Sequence, residues 1–177
     1  MFLYAYQKKQ QQGGVIGMLK LKLSGQWINL ETVADVDEGA KVQDVKVIDY
    51  VLSDGEEVID RELTECIKKL KHFEDIKLWS DIADFIKDNG ENVFLAIIEA
   101  CNGLEYDLQA IVQKYIINEY FTFYEYYKLE DVAQDFVEEV LDKSTEWLVN
   151  YIDYEKMAQD LEFDGYIQTH YGVIYLE

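Results

Sequence analysis

The spacing of apolar residues changes near Asp60 from the period of a strand to the period of a helix, and that change limits the folds open to this chain. Residues 15–23 end in strict alternation of apolar and polar side chains, the period of a half-buried β-strand. After Asp60 the apolar residues recur every three or four positions, the period of an amphipathic helix. A small sheet followed by packed helices predicts an α+β fold.

Residues 1–60 predict a small N-terminal antiparallel sheet with one short helix. Glycine- and serine-rich turns divide this part of the chain into segments of strand length. Strands are expected at residues 2–6, 15–23 and 42–52, the first two joined as a hairpin, and a short helix at residues 28–36.

Residues 61–103 predict a central helical bundle of three helices, with Gly90 and Gly103 as stops. Residues 104–177 predict a C-terminal antiparallel sheet of three strands with helices. The expected elements there are a helix at 106–113, a strand at 115–124, helices at 129–141 and 147–161, and a hairpin of residues 166–168 and 173–176. We therefore expect three domains, at residues 1–60, 61–103 and 104–177.

The charge of the chain is strongly negative, with 36 acidic against 16 basic residues and a formal net charge of -20. Proteins that bind nucleic acid need Lys and Arg to displace counterions, so direct binding of DNA or RNA is not expected. The two cysteines form no CxxC motif, and no apolar run is long enough to cross a bilayer. These features predict a cytoplasmic protein without a membrane segment.

The residues that perform catalysis or bind metals are sparse. His72 and His170 have no partner at metal-ligand spacing, and we interpret both as surface histidines. The glycines of residues 13–17 are followed by a strand pattern, whereas a phosphate-binding loop needs a helix there. We expect no catalytic residue, metal or cofactor, and therefore no enzyme. A hydrolase that uses a pair of carboxylates is the alternative from another functional class.

The predicted helix at 129–141 is acidic on the side opposite its apolar stripe. Asp131, Asp135, Glu138 and Asp142 lie along one line, with a carboxylate every ~5 to 6 Å of helix axis. Like charges at this spacing repel, so the row costs stability and suggests a use. The alternative is a solvated helix face. The candidate acidic surface is Glu130, Asp131, Asp135, Glu138, Glu139, Asp142, Glu146, Asp153, Glu155 and Asp160.

Duplex DNA carries about one charge per ~1.7 Å of axis, so a net charge of -20 corresponds to roughly one helical turn. A surface of this kind can occupy the DNA groove of another protein. Aromatic residues also crowd the C-terminal region, but stacking on bases needs a cationic groove beside the rings and this region is the most acidic of the chain. Core packing or a subunit interface is preferred for Tyr115, Tyr120, Phe121, Phe123 and Tyr124.

The C-terminal sequence resembles the signature of the ArdA antirestriction family. The matching features are Asn150-Tyr151-Ile152-Asp153-Tyr154, a helix that ends in Asp160-Leu161, and then Gly165-Tyr166-Ile167 with the hairpin at residues 171–175. Leu3-Tyr4-Ala5, Gly14, Gly17 and Ile48-Asp49-Tyr50 resemble other parts of the family pattern more weakly.

The resemblance implies an elongated, three-domain protein that dimerises through its C-terminal region. The resemblance also implies that its surface carboxylates imitate the phosphates of bent B-DNA and that its partner is a type I restriction-modification enzyme. On the same resemblance, we expect the protein to fill the DNA groove on the specificity and modification subunits and to protect incoming mobile DNA in a bacterial host. Two alternatives are a decoy for another DNA-binding defence enzyme, such as a CRISPR nuclease, and an acidic scaffold without a DNA-groove target.

Overall fold

The computed structural model describes residues 16–30, 33, 39–101, 107–141 and 145–177, and it has the α+β fold that the sequence predicts. Four antiparallel strands form the N-terminal sheet in the order β2-β1-β3-β4. They are β1 (Ile16–Leu23), β2 (Gln26–Asn29), β3 (Asp44–Val51) and β4 (Glu57–Asp60). The leucines of β1 at positions 19, 21 and 23 are buried, as alternation requires. The strand predicted at residues 2–6 lies outside the described residues.

The short helix predicted to start at Ile28 is wrong at that residue, which lies in β2. Ser24 and Gly25 both have positive φ angles, 48° and 83°, as a tight two-residue hairpin turn requires. The turn pairs Leu23 with Gln26 and so extends the sheet through Ile28. Most of residues 31–36 lie outside the described residues. The strand β4 was not predicted, because a four-residue strand is too short to show a period.

The central helices confirm the helical spacing that begins after Asp60. They are α1 (Arg61–Lys69), α2 (Ile76–Asn89) and α3 (Glu91–Ala100). Gly90 separates the last two with a φ of 90°. Residues 93–98 of α3 are all buried, so α3 is the centre around which the other elements pack. In the part of the chain that the structure describes, no helix combines the length and apolarity that crossing a membrane needs.

The strand predicted at 115–124 is wrong in its first half. The chain continues from α4 (Leu108–Ile111) into a π-helix (Val112–Ile117), and the strand β5 spans Phe121–Glu125. Tyr115 is 2% exposed and Ile116 6% exposed. Both side chains fill the main core from a helical backbone, so tertiary packing overrides the strand propensity of β-branched and aromatic residues.

The remaining C-terminal elements are α5 (Leu129–Val140), a 3₁₀ helix (Glu146–Tyr151), α6 (Tyr154–Phe163), β6 (Tyr166–Gln168) and β7 (Gly172–Leu176). The antiparallel sheet has the order β5-β7-β6, with the predicted hairpin in it. The single helix predicted at 147–161 is wrong, because the chain is extended at Ile152 and a new helix begins after it. Asp153 caps that helix by accepting a hydrogen bond from Lys156 N at 3.1 Å.

The central strand β7 has a different apolar cluster on each face. Ile174 belongs to the large cluster that includes the N-terminal sheet and α3, while Val173 belongs to a smaller cluster with α5 and α6. Successive side chains of a strand point to opposite faces, so the C-terminal sheet lies between the two clusters. Helices α5 and α6 are therefore an outer layer on this sheet.

Two polar contacts from α3 hold the C-terminal sheet in place. Asn92 Nδ2 donates to Glu125 Oε1 at 2.8 Å and to Tyr126 Oη at 2.9 Å. Seven residues along the same helix, the Glu99 carboxylate accepts from the His170 backbone N–H at 3.1 Å and lies 2.7 Å from His170 Nδ1. The two contacts fix the end of β5 and the β6–β7 turn on one helix.

Replacing Gly172 with alanine is expected to destabilise the protein by about 3 kcal/mol. Gly172 has a φ of 149°, and a Cβ there would lie 2.2 Å from the Tyr124 carbonyl oxygen of the neighbouring strand. Gly55→Ala is the matched control, because Gly55 also has a positive φ, 88°, but a Cβ there meets nothing within 4 Å. We expect that control to cost only about 1 kcal/mol.

Urea denaturation of both variants gives the two free energies of unfolding. Equal losses in the two variants would contradict the close approach of β7 to β5 at Gly172.

Candidate functional site

The candidate site is the outward face of α5. Leu129, Val132, Ala133 and Val137 are buried, and the first three pack against the C-terminal sheet and α6. Because these residues occupy one stripe, the acidic residues between them lie on the opposite side of the helix. Glu130, Asp131, Glu138 and Glu139 are exposed and Asp135 is half-buried. We call these five residues the acidic face; Asp142, also predicted for it, lies outside the described residues.

Hydrogen bonds at the start of α5 fix the acidic face relative to the sheet. Lys128 N donates to Asp131 Oδ2 at 2.8 Å, which places a carboxylate at the positive end of the helix dipole. Leu129 N donates to Gln168 Oε1 at 3.1 Å. The side-chain nitrogen Nε2 of Gln168 donates to Tyr127 O and Gly172 O, each at 3.2 Å. The first turn of α5 is thus held by β6 and by the hairpin turn.

The carboxylates of the acidic face raise the pKa of two nearby tyrosines. The pKa of Tyr127 is raised, chiefly by the charge of Asp135 and by a hydrogen bond to it, with smaller effects of burial and of Asp131 and Glu138. The pKa of Tyr124 is also raised, first by burial and then by Glu139 and Asp135. A phenolate beside these carboxylates would be a further anion, so each phenol keeps its proton more tightly.

The other predicted acidic residues lie beyond α5. Asp153, Glu155 and Asp160 are exposed, with Asp153 at the N-terminal cap of α6 and the other two within it. Glu146 begins the 3₁₀ helix. Among the described acidic residues of the C-terminal region, those of α5 have the closest spacing along one element.

The five candidate interface aromatics have very different exposures. Tyr115 is 2% exposed, so it has almost no surface left for a partner, whereas Tyr120 is 50% exposed. Phe121 and Phe123 are half-buried against the large cluster, and Tyr124 is half-buried against the small one. Of the five, the structure leaves Tyr120 most available for contact with another molecule.

A second acidic group, which the sequence analysis missed, lines a depression of about 230 Å³ between α2 and the end of the π-helix. Its carboxylates are Asp81, Asp84, Asp88 and Glu119. Their signal in the sequence is the recurrence of aspartate at steps of three and four residues in α2, beside the buried side chains of Leu78, Ile82 and Phe85. These carboxylates extend the negative surface of the molecule beyond the C-terminal region.

A cavity of about 100 Å³ brings together Cys66, Glu99 and His170, the residue types of a thiol hydrolase. Burial raises the pKa of the Cys66 thiol, and Glu62, Asp60 and Glu99 raise it further. A nucleophilic cysteine needs the opposite shift.

His72 is exposed, and no group of three or more potential metal ligands occurs within the described parts of the chain.

The pKa of Tyr127 is expected to fall toward the ordinary tyrosine value when Asp135 is replaced by asparagine, because the nearest negative charge is removed. NMR titration of the Tyr127 ring Cζ measures the shift. Glu130→Gln is the matched control, since Glu130 is on the same helix but is not among the causes of the shift. The assignment fails if the two variants titrate alike.

The comparison with known protein families agrees with the residues of the C-terminal signature. The family model for the antirestriction protein ArdA matches residues 21–175 of the 177 residues. No curated protein matches the chain closely enough to count as a relative. Since the family match runs from the last residues of β1 through the central helices to the C-terminal sheet, the chain belongs to the ArdA family of antirestriction proteins.

Proposed function

We propose that this protein is a DNA mimic, in which fixed carboxylates take the place of phosphates in the DNA groove of a type I restriction-modification enzyme. The antirestriction function follows from the family. The mechanism and the target are the proposal. The protein fills the groove of the specificity and modification subunits, in the cytoplasm of a bacterial host, and incoming mobile DNA escapes cleavage.

The acidic face of α5 is the observation that carries this proposal. Its carboxylates follow one side of a helix that is buried on the other, and at 1.5 Å of rise per residue Asp131 and Glu138 lie about 10 Å apart along the axis. Along the chain, Lys128 and Lys143 are the cations that flank this acidic segment. Repulsion within such a row is relieved when a basic groove supplies the opposite charges.

Electrostatic attraction of this kind has a kinetic consequence. A strongly negative protein is steered towards a basic groove, which raises the association rate at low salt. The net charge of -20 is of the size that the phosphates of about one duplex turn carry. The protein therefore competes with DNA by charge and position, and its own residues need not make or break a bond.

We also propose that the protein acts as a homodimer, because two copies offer the charge of roughly two duplex turns. We place Tyr120 in the contact between the copies, because this side chain is 50% exposed. Ile117, which is nearby in the sequence, is 55% exposed. Tyrosine is enriched where an apolar contact meets a wet rim.

Reversing three carboxylates of the acidic face, with Glu130→Lys, Glu138→Lys and Glu139→Lys, is expected to weaken inhibition of a type I enzyme about 100-fold at low salt, at ~1 kcal/mol per charge. The matched control reverses the exposed residues Glu56, Glu65 and Glu74, which lie outside the C-terminal region and give the same change in net charge. DNA-cleavage assays measure the inhibition constants. Equal inhibition by both triple variants would contradict the proposal, and inhibition of a CRISPR nuclease alone would contradict the target.

Tyr120→Asp is expected to shift the proposed dimer to monomer, because it places a charge in an apolar contact. Sedimentation velocity measures the molecular mass. Phe163→Asp, at an aromatic residue that is 89% exposed on α6, is the control and should leave the mass unchanged. A monomeric native protein, or a dimer in the Tyr120 variant, would contradict this contact.

A further inference from the structure

The 3₁₀ helix Glu146–Tyr151 presents two large aromatic side chains to solvent. Trp147 is 61% exposed and Tyr151 is 80% exposed, and their ring centroids are 5.9 Å apart with an angle of 80° between the planes. Large apolar side chains that lie together in water mark a binding surface more often than isolated ones do. Neither side chain is needed to fill either apolar cluster.

The backbone under this aromatic pair is held on both sides. Leu148 N donates to Thr145 O at 2.9 Å, and Ile152 N donates to Val149 O at 3.3 Å. Asp153 follows at once as the cap of α6. The edge-to-face contact restricts the two rings further. An aromatic pair that is already ordered loses little conformational entropy when it binds.

The charges around the aromatic pair indicate its partner. The chain is uncharged from Trp147 to Ile152, within a C-terminal region that has 16 acidic and 4 basic residues over 106–177. The exposed Asp153 and Glu155 follow directly. Aromatic rings with carboxylates beside them combine flat apolar surface with negative charge, as the bases and phosphates of a nucleic acid do. The complementary surface is a cationic groove that also contacts base edges.

We propose that Trp147 and Tyr151 form an apolar anchor that enters the base-reading part of the target enzyme's DNA groove, while Asp153 and Glu155 contact the cations along it. This inference rests on the proposed function and deepens it. Binding then involves two surfaces, the acidic face and the aromatic anchor, with different roles. The acidic face attracts the groove from a distance, and the anchor delays release once the complex has formed.

The two roles are separable by kinetics. Charges on an interface chiefly change the association rate and its dependence on salt. Buried aromatic residues at the centre of an interface, tryptophan and tyrosine above all, chiefly change the dissociation rate. Loss of the anchor should therefore raise the dissociation rate, whereas loss of charge should change the association rate and its dependence on salt.

The test compares the native protein with a Trp147→Ala, Tyr151→Ala double variant by surface plasmon resonance on an immobilised type I methyltransferase core. We expect dissociation to become about 30-fold faster or more, with the association rate and the salt dependence within about threefold of the native values. Phe163→Ala is the matched control, since Phe163 is 89% exposed but stands outside the aromatic pair. Thermal unfolding of each variant shows that the fold is kept.

Three results would overturn the anchor. The first is an unchanged dissociation rate, and the second is a change confined to association and salt dependence. The third is loss of self-association in sedimentation with native release from the enzyme, which would assign the pair to contact between copies. A native protein that does not compete with duplex DNA for the core would overturn the proposed function together with the anchor. If the native protein competes with duplex DNA but the double variant dissociates at the native rate, only the anchor is overturned.

Discussion

Burial of the apolar stripe of α5 on the C-terminal sheet is the interaction on which the acidic face depends. The carboxylates on the other side of this helix repel one another, so the helix would be weak in isolation. Val132 and Ala133 are fully buried against the sheet and α6. A few buried apolar side chains at ~1 to 2 kcal/mol each outweigh repulsions of a few tenths of a kcal/mol. The sheet therefore holds the carboxylates in an array that they would not keep alone.

The two faces of β7 connect this array to the remainder of the protein. Val173 packs beneath α5 and α6, and Ile174, on the other face, joins the core that contains α3. At the edges of this contact, Asn92 and Glu99 of α3 bind the end of β5 and the β6–β7 turn. A charged surface imitates a rigid polyanion only if its charges keep fixed positions, and this layered packing supplies that rigidity.

The sequence predicts those parts of the fold whose period is long and regular. The stripe of α5, from Leu129 to Val137, identified both the helix and the side on which its carboxylates lie. The π-helix at Tyr115 could not be predicted, because its strand-forming residues are made helical by burial in a core that is distant in sequence. The break at Ile152 likewise depends on one capping aspartate rather than on a period.

The candidate site was predictable to a similar degree. Charge and spacing locate the carboxylates of α5, but the exposure of Trp147 and Tyr151 depends on what the rest of the fold leaves uncovered. The same holds for Tyr115 and Tyr120, which are five residues apart but are 2% and 50% exposed. Aromatic content suggests an interface, and only packing shows which rings are free to form it.

The most direct measurement is the binding of the protein to a type I methyltransferase core as the concentrations of cognate duplex and of salt are varied. The account predicts that protein and duplex exclude each other, and that the logarithm of the affinity falls linearly and steeply with the logarithm of salt concentration. A ternary complex of enzyme, duplex and protein, or an affinity that salt does not change, would contradict it.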